Sequence, residues 1–228
     1  MFDLSTVKAV ILDLDGTLVD SAPDLAYALN NSLAKLDLPA HSVSSVRNMI
    51  GGGVPKLIER GLLAHNADAS IEVIEEILPG FLEFYGANAT RETYLYPGAI
   101  DLLSHLKEQS VPTALCTNKP TEATGIILEN LNLTDYFVCV IGGTSGFPKK
   151  PDPLSLKYIL SEMDAAPATT LMIGDSGVDV GAARGAEMPV AIMSYGYSKT
   201  PASELGADMV FDSFTEILTG LIEARSVN

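Results

Sequence analysis

Positive charge is scarce in this chain: Lys and Arg number 14 of 228 residues against 29 Asp and Glu, a formal net charge of −15. Non-specific binding to nucleic acid or to an anionic membrane needs clustered Lys and Arg, so neither partner is expected. Cysteine is rarer still, with only Cys116 and Cys139, both inside apolar, strand-like runs. Two thiols do not make a disulfide framework, and a reducing compartment, the cytoplasm, is the expectation. No uncharged apolar run approaches the roughly 20 residues that cross a bilayer. The opening stretch MFDLSTVKAVILDLDG is interrupted by Asp3 and Lys8, unlike a secretory signal. Histidine occurs at positions 41, 65 and 105 only, scattered, and these are expected to be structural rather than metal ligands. A Walker A pattern is missing, and Gly51-Gly52-Gly53 is no dinucleotide fingerprint because no strand precedes it. What remains is a chain 47% hydrophobic, long enough for one large domain or one domain with an insertion.

Short apolar runs lie at residues 8–16, 111–118, 137–143, 170–176, 189–196 and 209–213. They are rich in Val, Ile and Leu without polar alternation, as expected for parallel strands buried on both faces. Segments of helical period fall between them, over 97–109, 121–131 and 153–163. Strands alternating with such helices predict an α/β fold with a doubly wound parallel sheet. Residues 19–93 break the alternation, show no convincing strand and predict several helices. Ser21 is placed to cap one carrying Leu25, Leu29, Leu33 and Leu36. Val43, Val46 and Ile50 continue the pattern up to the glycine triplet. Ser70 is placed to cap a further helix that Pro79-Gly80 must kink or end. This predicts a core of residues 1–18 and 94–228, with residues 19–93 inserted as an α-helical cap.

In parallel α/β sheets, ligands bind beyond the carboxyl ends of the strands. Polar residues collect at those ends: Asp13, Asp15, Gly16 and Thr17 after the first run, Thr117 and Asn118 after the second, Asp175 and Asp179 after the fourth. Lys150 follows the third. Asp13 and Asp15 are two residues apart, which in a regular strand turns both side chains the same way. Four carboxylates so gathered repel one another unless a cation sits among them. Hard oxygens without His or Cys favour Mg²⁺, whose open positions take water and substrate phosphate. Each aspartate alone is a common turn former; together with Thr117, Asn118 and Lys150 they predict phosphoryl chemistry.

Four stretches carry a family resemblance. DLDGTLVDS (13–21), CTN (116–118), KPDP (150–153) and GDSGVD (174–179) resemble the motifs of haloacid-dehalogenase-superfamily phosphatases, and the likeness runs through the whole chain, cap included. Within the superfamily the chain is most similar to the phosphoglycolate phosphatase group, through SAPDL (21–25), IGGGVPKLIERGL (50–62), TNKP (117–120) and SYGYS (194–198). The resemblance implies a Rossmann-like core and a definite division of labour. Asp13 attacks phosphorus to form an aspartyl-phosphate. Asp15 protonates the leaving alkoxide and then takes a proton from the hydrolytic water. Mg²⁺ is held by the Asp13 side chain, the Asp15 main-chain carbonyl and Asp175, with Asp179 helping through water or from behind. Thr117 and Asn118 donate to the phosphoryl oxygens, Lys150 neutralises charge between Asp13 and the phosphate, and Gly16 and Thr17 shape a turn that brings backbone N–H groups near it.

An aspartate two residues after the nucleophile separates phosphatases from the dehalogenases of this fold. Neither cap lysine, Lys35 or Lys56, is marked for Schiff-base chemistry. The implied reaction is hydrolysis of a small phosphorylated metabolite, 2-phosphoglycolate, to glycolate and phosphate. Another small substrate (a sugar phosphate or pyrophosphate), a phosphomutase, or a non-catalytic module on the same fold are the alternatives, and monomer and homodimer both stay open. Specificity is expected in the cap, where Gly53 in the glycine loop approaches the substrate and Arg60, Arg47 or Lys56 meets a second anionic group.

Overall fold

A computed structural model describes residues 2–226. Six parallel strands form the central sheet: β1 (Ala9–Leu12), β4 (Thr113–Cys116), β5 (Cys139–Ile141), β6 (Thr170–Gly174), β7 (Val190–Met193) and β8 (Met209–Phe211), where β2 and β3 are a separate pair described below. Their order across the sheet is β5-β4-β1-β6-β7-β8. The register sets Ile11 beside Ala114 on one side and Met172 on the other. Every apolar run therefore delivered a strand, each shorter than its run because the polar ends leave the ladder.

Alternate strand residues feed two separate cores, which is why these runs are hydrophobic throughout. Ile11, Cys116, Met172 and Ile192 pack under α7 (Leu154–Glu162) and α8 (Gly177–Gly185). Val10, Leu12, Leu115 and Ile173 face the other way, toward α5 (Ala99–Glu108), α6 (Thr121–Asn130) and α9 (Phe214–Ser226). Winding reverses between β1 and β6, and at that switch point a crevice opens beyond the strand ends.

Four helices lie between the first strand and the rest of the core: α1 (Ala22–Ala34), α2 (Val43–Arg47), α3 (Val54–Leu63) and α4 (Ile71–Asn88). They bury Leu25, Leu29, Leu33, Val46, Leu57, Ile58, Leu62, Phe81 and Tyr85. The structure corrects several details. Val19–Asp20 forms a short strand, β2, antiparallel to β3 (Tyr94–Leu95), so the chain enters and leaves the helical layer through a two-stranded hinge. Two residues are too few to show a strand period in sequence. Leu36 lies beyond the end of α1 and is exposed, and Val43 is exposed as well. Helix α4 continues through Pro79, because the fully buried rings of Phe81 and Tyr85 hold the following turns in place. Ser21 and Ser70 occupy N-cap positions but make no capping bond; the Ser21 hydroxyl donates to Asp15 instead, at 2.5 Å.

Asp24 fastens the hinge from within. Its buried carboxylate accepts hydrogen bonds from the backbone N–H groups of Glu92 and Thr93 at 2.9 Å and from the Thr93 hydroxyl at 2.7 Å. Among the described residues no helix is long and apolar enough to cross a membrane.

Candidate active site

Strand β1 ends at Leu12; the Asp13 N–H still donates to the Ile173 carbonyl of β6 at 2.9 Å, which holds Asp13 at the switch point. One oxygen accepts from the Leu14 backbone N–H at 2.7 Å, and the same oxygen pairs with the Lys150 ammonium at 2.9 Å. Lys150 also donates to Asp179 at 2.6 Å and to the Cys116 carbonyl at 2.7 Å. Burial disfavours the lysine charge, but Asp13 and Asp179 outweigh it and hold the ammonium protonated, far above its ordinary range. At the end of β6, Asp175 accepts from the Tyr197 N–H at 2.6 Å. Asp179 reaches back from the first turn of α8 and accepts from the N–H of Asp175, at 3.2 Å, and from Ser176. The Ser176 hydroxyl adds a bond at 2.7 Å.

Oxygens of Asp13, Asp175 and Asp179 lie within 4.8 Å of one another. Burial pushes the Asp13 carboxyl up to about 6 against the opposing pull of Lys150, with Asp179 adding to the rise. Burial also drives Asp175 well above the carboxylate range, aided by Asp179 and Asp13. One lysine does not balance three buried acids. The donor set, all hard carboxylate oxygen, fits Mg²⁺. Asp179 has both oxygens engaged by protein donors, which suits it to anchoring Lys150 and the Asp175 backbone rather than to direct ligation.

Asp15 departs from the sequence expectation. It lies beyond the strand in the turn toward Val19, and its carboxylate is not part of the three-acid group. Its oxygens accept from the Lys119 ammonium at 2.9 and 3.1 Å and from Ser21. The two-residue spacing fails to align the side chains because β1 ends at Leu12 and the strand period no longer holds over residues 13–15; the turn goes on through Gly16, with φ of +79°. That glycine is required: a Cβ there would stand 2.5 Å from the Asp175 Oδ2 and 3.0 Å from the Tyr197 ring.

Other assignments change in detail. The N–H groups of Gly16 and Thr17 donate to the Val19 and Leu14 carbonyls, so this turn closes on itself instead of presenting donors to a phosphate. The Asn118 side chain clamps the main chain of Lys150 on both sides, at 2.9 Å and 2.8 Å, and so orients that lysine. Arg47 pairs with Asp20 at the hinge and Lys56 with its neighbour Glu59. Arg60 does line the cavity, but its Nη1 holds the carbonyls of Met49 at 2.7 Å and Gly51 at 2.8 Å, shaping the glycine loop. Thr117 sits at the end of β4 with a buried hydroxyl that accepts from the Lys119 N–H at 3.2 Å, leaving its proton to donate. Gly53 has φ of +91° at the start of α3, where an added Cβ would stand 2.8 Å from the Lys149 Nζ.

These groups enclose a cavity of about 260 Å³ beneath the cap, lined by Asp13, Asp15, Thr117, Asn118, Lys150 and Asp175 from the core and by Gly51–Gly53, Arg60 and Tyr85 from the helices above. Sequence reasoning missed three participants. Lys119 is buried, and its ammonium donates to the Tyr85 hydroxyl as well as to Asp15. Tyr197 accepts from the N–H groups of Ser21 and Ala22 and donates to Asp20. Lys119 and Tyr197 lie within TNKP and SYGYS, stretches the resemblance had marked without a role for either residue; Tyr85 left no signal beyond a helical apolar face.

Comparison with known proteins agrees with this geometry. The haloacid dehalogenase-like hydrolase family matches residues 7–187. The phosphoglycolate phosphatase of Rhodospirillum rubrum is 40% identical over 214 residues, 92% of this chain and 89% of that protein. The phosphoglycolate phosphatase of Nitrosococcus oceani is 36% identical, with 97% and 99% of the two chains covered. The crystal structure of a predicted phosphoglycolate phosphatase from Haemophilus somnus superposes with a TM-score of 0.87 at 32% identity, covering 94% of this chain and 97% of that one. A six-stranded sheet in this order, its acids at the switch point and relatives of this closeness lead to one conclusion: the chain belongs to the haloacid dehalogenase-like hydrolases, among their phosphatases.

Proposed function

We propose that this phosphatase is Mg²⁺-dependent and hydrolyses 2-phosphoglycolate to glycolate and phosphate through an aspartyl-phosphate on Asp13. The observation that carries the reading is the three-acid group around Lys150, with Asp15 set apart on the second lysine. Asp13 and Asp15 thereby occupy different electrostatic settings, as a nucleophile and an acid/base must. The substrate is taken from the relatives, whose names specify phosphoglycolate.

Asp13 and Asp175 carboxylates and the Asp15 carbonyl would hold the ion, as the family resemblance implies. When bound, Mg²⁺ supplies positive charge to the equatorial phosphoryl oxygens. Asp13 uses an oxygen to attack phosphorus, and the P–O bond to the glycolate oxygen breaks. Asp15 gives that oxygen its proton. Asp15 then takes a proton from water, which attacks the aspartyl-phosphate and frees Asp13 and inorganic phosphate. Lys150 and the Thr117 hydroxyl balance charge on the transferring group. The two free thiols, Cys116 and Cys139, agree with residence in the reducing cytoplasm.

Asp13→Asn is expected to lower kcat by about 10⁴-fold or more, the scale of losing a covalent nucleophile, with the melting temperature little changed. Turnover of 2-phosphoglycolate by wild-type enzyme, with Mg²⁺ and in excess chelator, is the measurement. Full activity in chelator contradicts the metal assignment, and near-normal turnover by the variant contradicts the nucleophile.

A further inference from the structure

The cavity reverses the charge balance of the molecule. Its lining carries four basic residues (Arg60, Lys119, Lys150 and Lys199) and three acids (Asp13, Asp15 and Asp175), whereas the chain has 14 and 29. Lys150 is bound to Asp13 and Asp179 on the nucleophile side. Lys199 lies in an exposed segment, and Arg60 holds the glycine loop. Lys119 alone among the four is both buried and on the side of Asp15, its side chain 2% exposed.

Tyr85 stands beside it, delivered from α4 of the cap. Its hydroxyl accepts from the Lys119 ammonium, so its own proton is free to donate into the cavity it lines. The Lys119 ammonium also lies over the Tyr85 ring, 4.7 Å from its centroid. A buried ammonium and a free hydroxyl converge next to the acid/base, and the leaving oxygen must touch that acid/base. In an ester of an α-hydroxy acid, a carboxylate sits one carbon from the leaving oxygen, which brings it to the same corner.

We infer that Lys119 and Tyr85 form a carboxylate subsite that selects phosphate esters of α-hydroxy acids. The inference rests on the phosphatase reading above and deepens it. Lys119 comes from the core and Tyr85 from the cap, so the subsite is complete only with the cap closed. It thereby ties recognition of the leaving group to exclusion of bulk water while the phosphoryl group moves to Asp13.

The test compares kcat/KM for 2-phosphoglycolate and for 2-hydroxyethyl phosphate, an ester with a hydroxymethyl group in place of the carboxylate, using the Mg²⁺-loaded enzyme. Wild type is expected to favour 2-phosphoglycolate. Lys119→Met is expected to shrink that preference by about thirtyfold or more, the scale of removing one partner of a buried charge pair. Tyr85→Phe should shrink it less, and Lys119→Arg should recover part of it. Equal losses on both esters in Lys119→Met would mean that the lysine only positions Asp15, and the subsite falls. So that the conclusion does not hang on one variant folding, wild-type hydrolysis of 2-hydroxyethyl phosphate is also inhibited with glycolate and with ethylene glycol. Glycolate should inhibit at least about tenfold more strongly, and equal inhibition overturns the subsite. Wild type that cleaves both esters equally well also overturns it while leaving the phosphatase standing. Wild type that cleaves 2-hydroxyethyl phosphate but not 2-phosphoglycolate overturns the substrate assignment itself.

Discussion

Single residues set the electrostatics of this site, and they were unevenly visible in the sequence. Asp13, Lys150 and Asp175 were legible because parallel strands export their last residues to one rim, whatever the intervening chain does. The partner of each was not. Asp15 lies past the end of β1, where the strand period no longer sets side-chain direction, and Lys119 was marked only as part of TNKP, with nothing in sequence to show its burial against Asp15. Gly16 gives the sharpest residue-level prediction. Its missing side chain leaves room for Asp175 and Tyr197, with 2.5 Å between a hypothetical Cβ and the Asp175 Oδ2. Gly16→Ala should displace that carboxylate, a proposed metal ligand, while changing neither the Asp13 nor the Lys150 side chain itself. Disturbing the support of a metal ligand typically weakens the metal by about 10–100-fold, and holding an alanine at positive φ adds about 1–2 kcal/mol of instability. Activity titrated against Mg²⁺ should show the midpoint moving by that factor, with kcat recovering toward wild type at saturation. An unchanged midpoint would mean that Asp175 does not depend on this turn.

Elements came through the sequence wherever they were long and strongly periodic. The six sheet strands and the helices α5, α6 and α7 follow from apolar runs and helical spacing. The hinge did not, because β2 and β3 are two residues each and are held by groups outside themselves. Asp24, inside the first turn of α1, supplies much of that hold by accepting from Glu92 and Thr93 across 68 and 69 positions of sequence. Sequence reading has no access to a partner that distant. Asp24→Ala would leave the buried Thr93 N–H and hydroxyl unsatisfied at a cost of about 1–3 kcal/mol each, the part-buried Glu92 N–H adding less. A fall of about 2–5 kcal/mol in unfolding free energy is therefore expected in urea, larger than most surface changes produce. The sheet lies apart from this hinge, so the far-ultraviolet circular dichroism of the folded variant should match wild type. A loss under about 0.5 kcal/mol would show that the hinge strands hold without the carboxylate.

For the whole molecule, folding without a cation means burying acids that repel, in a chain already at −15. The sign of the pH dependence follows. Asp13 titrates at about 6 in the folded protein against 3.8 ordinarily, and Asp175 is raised as well, burial being the main cause for both. Between those values the native state holds protons that the unfolded chain has released. Stability from Asp13 accordingly falls as pH climbs from about 4 through 6, and the raised Asp175 carboxyl adds a penalty of the same sign as pH rises. A cation in the three-acid group removes that penalty, and it must displace the protons to enter. The expectation is a thermal midpoint that Mg²⁺ hardly moves at pH 5 and raises clearly at pH 8. A concentration of a hundred times Kd stabilises by about 2.7 kcal/mol, or roughly 5–10 °C for a chain of this size. Asp175→Asn removes one of the repelling charges, so it should raise the metal-free midpoint at pH 8 while reducing the response to Mg²⁺. Scanning fluorimetry of wild type and variant at both pH values, with and without Mg²⁺, decides it. An equal Mg²⁺ shift at pH 5 and pH 8 would show that the ion does not enter among these buried carboxylates, and the metal assignment would fail with it.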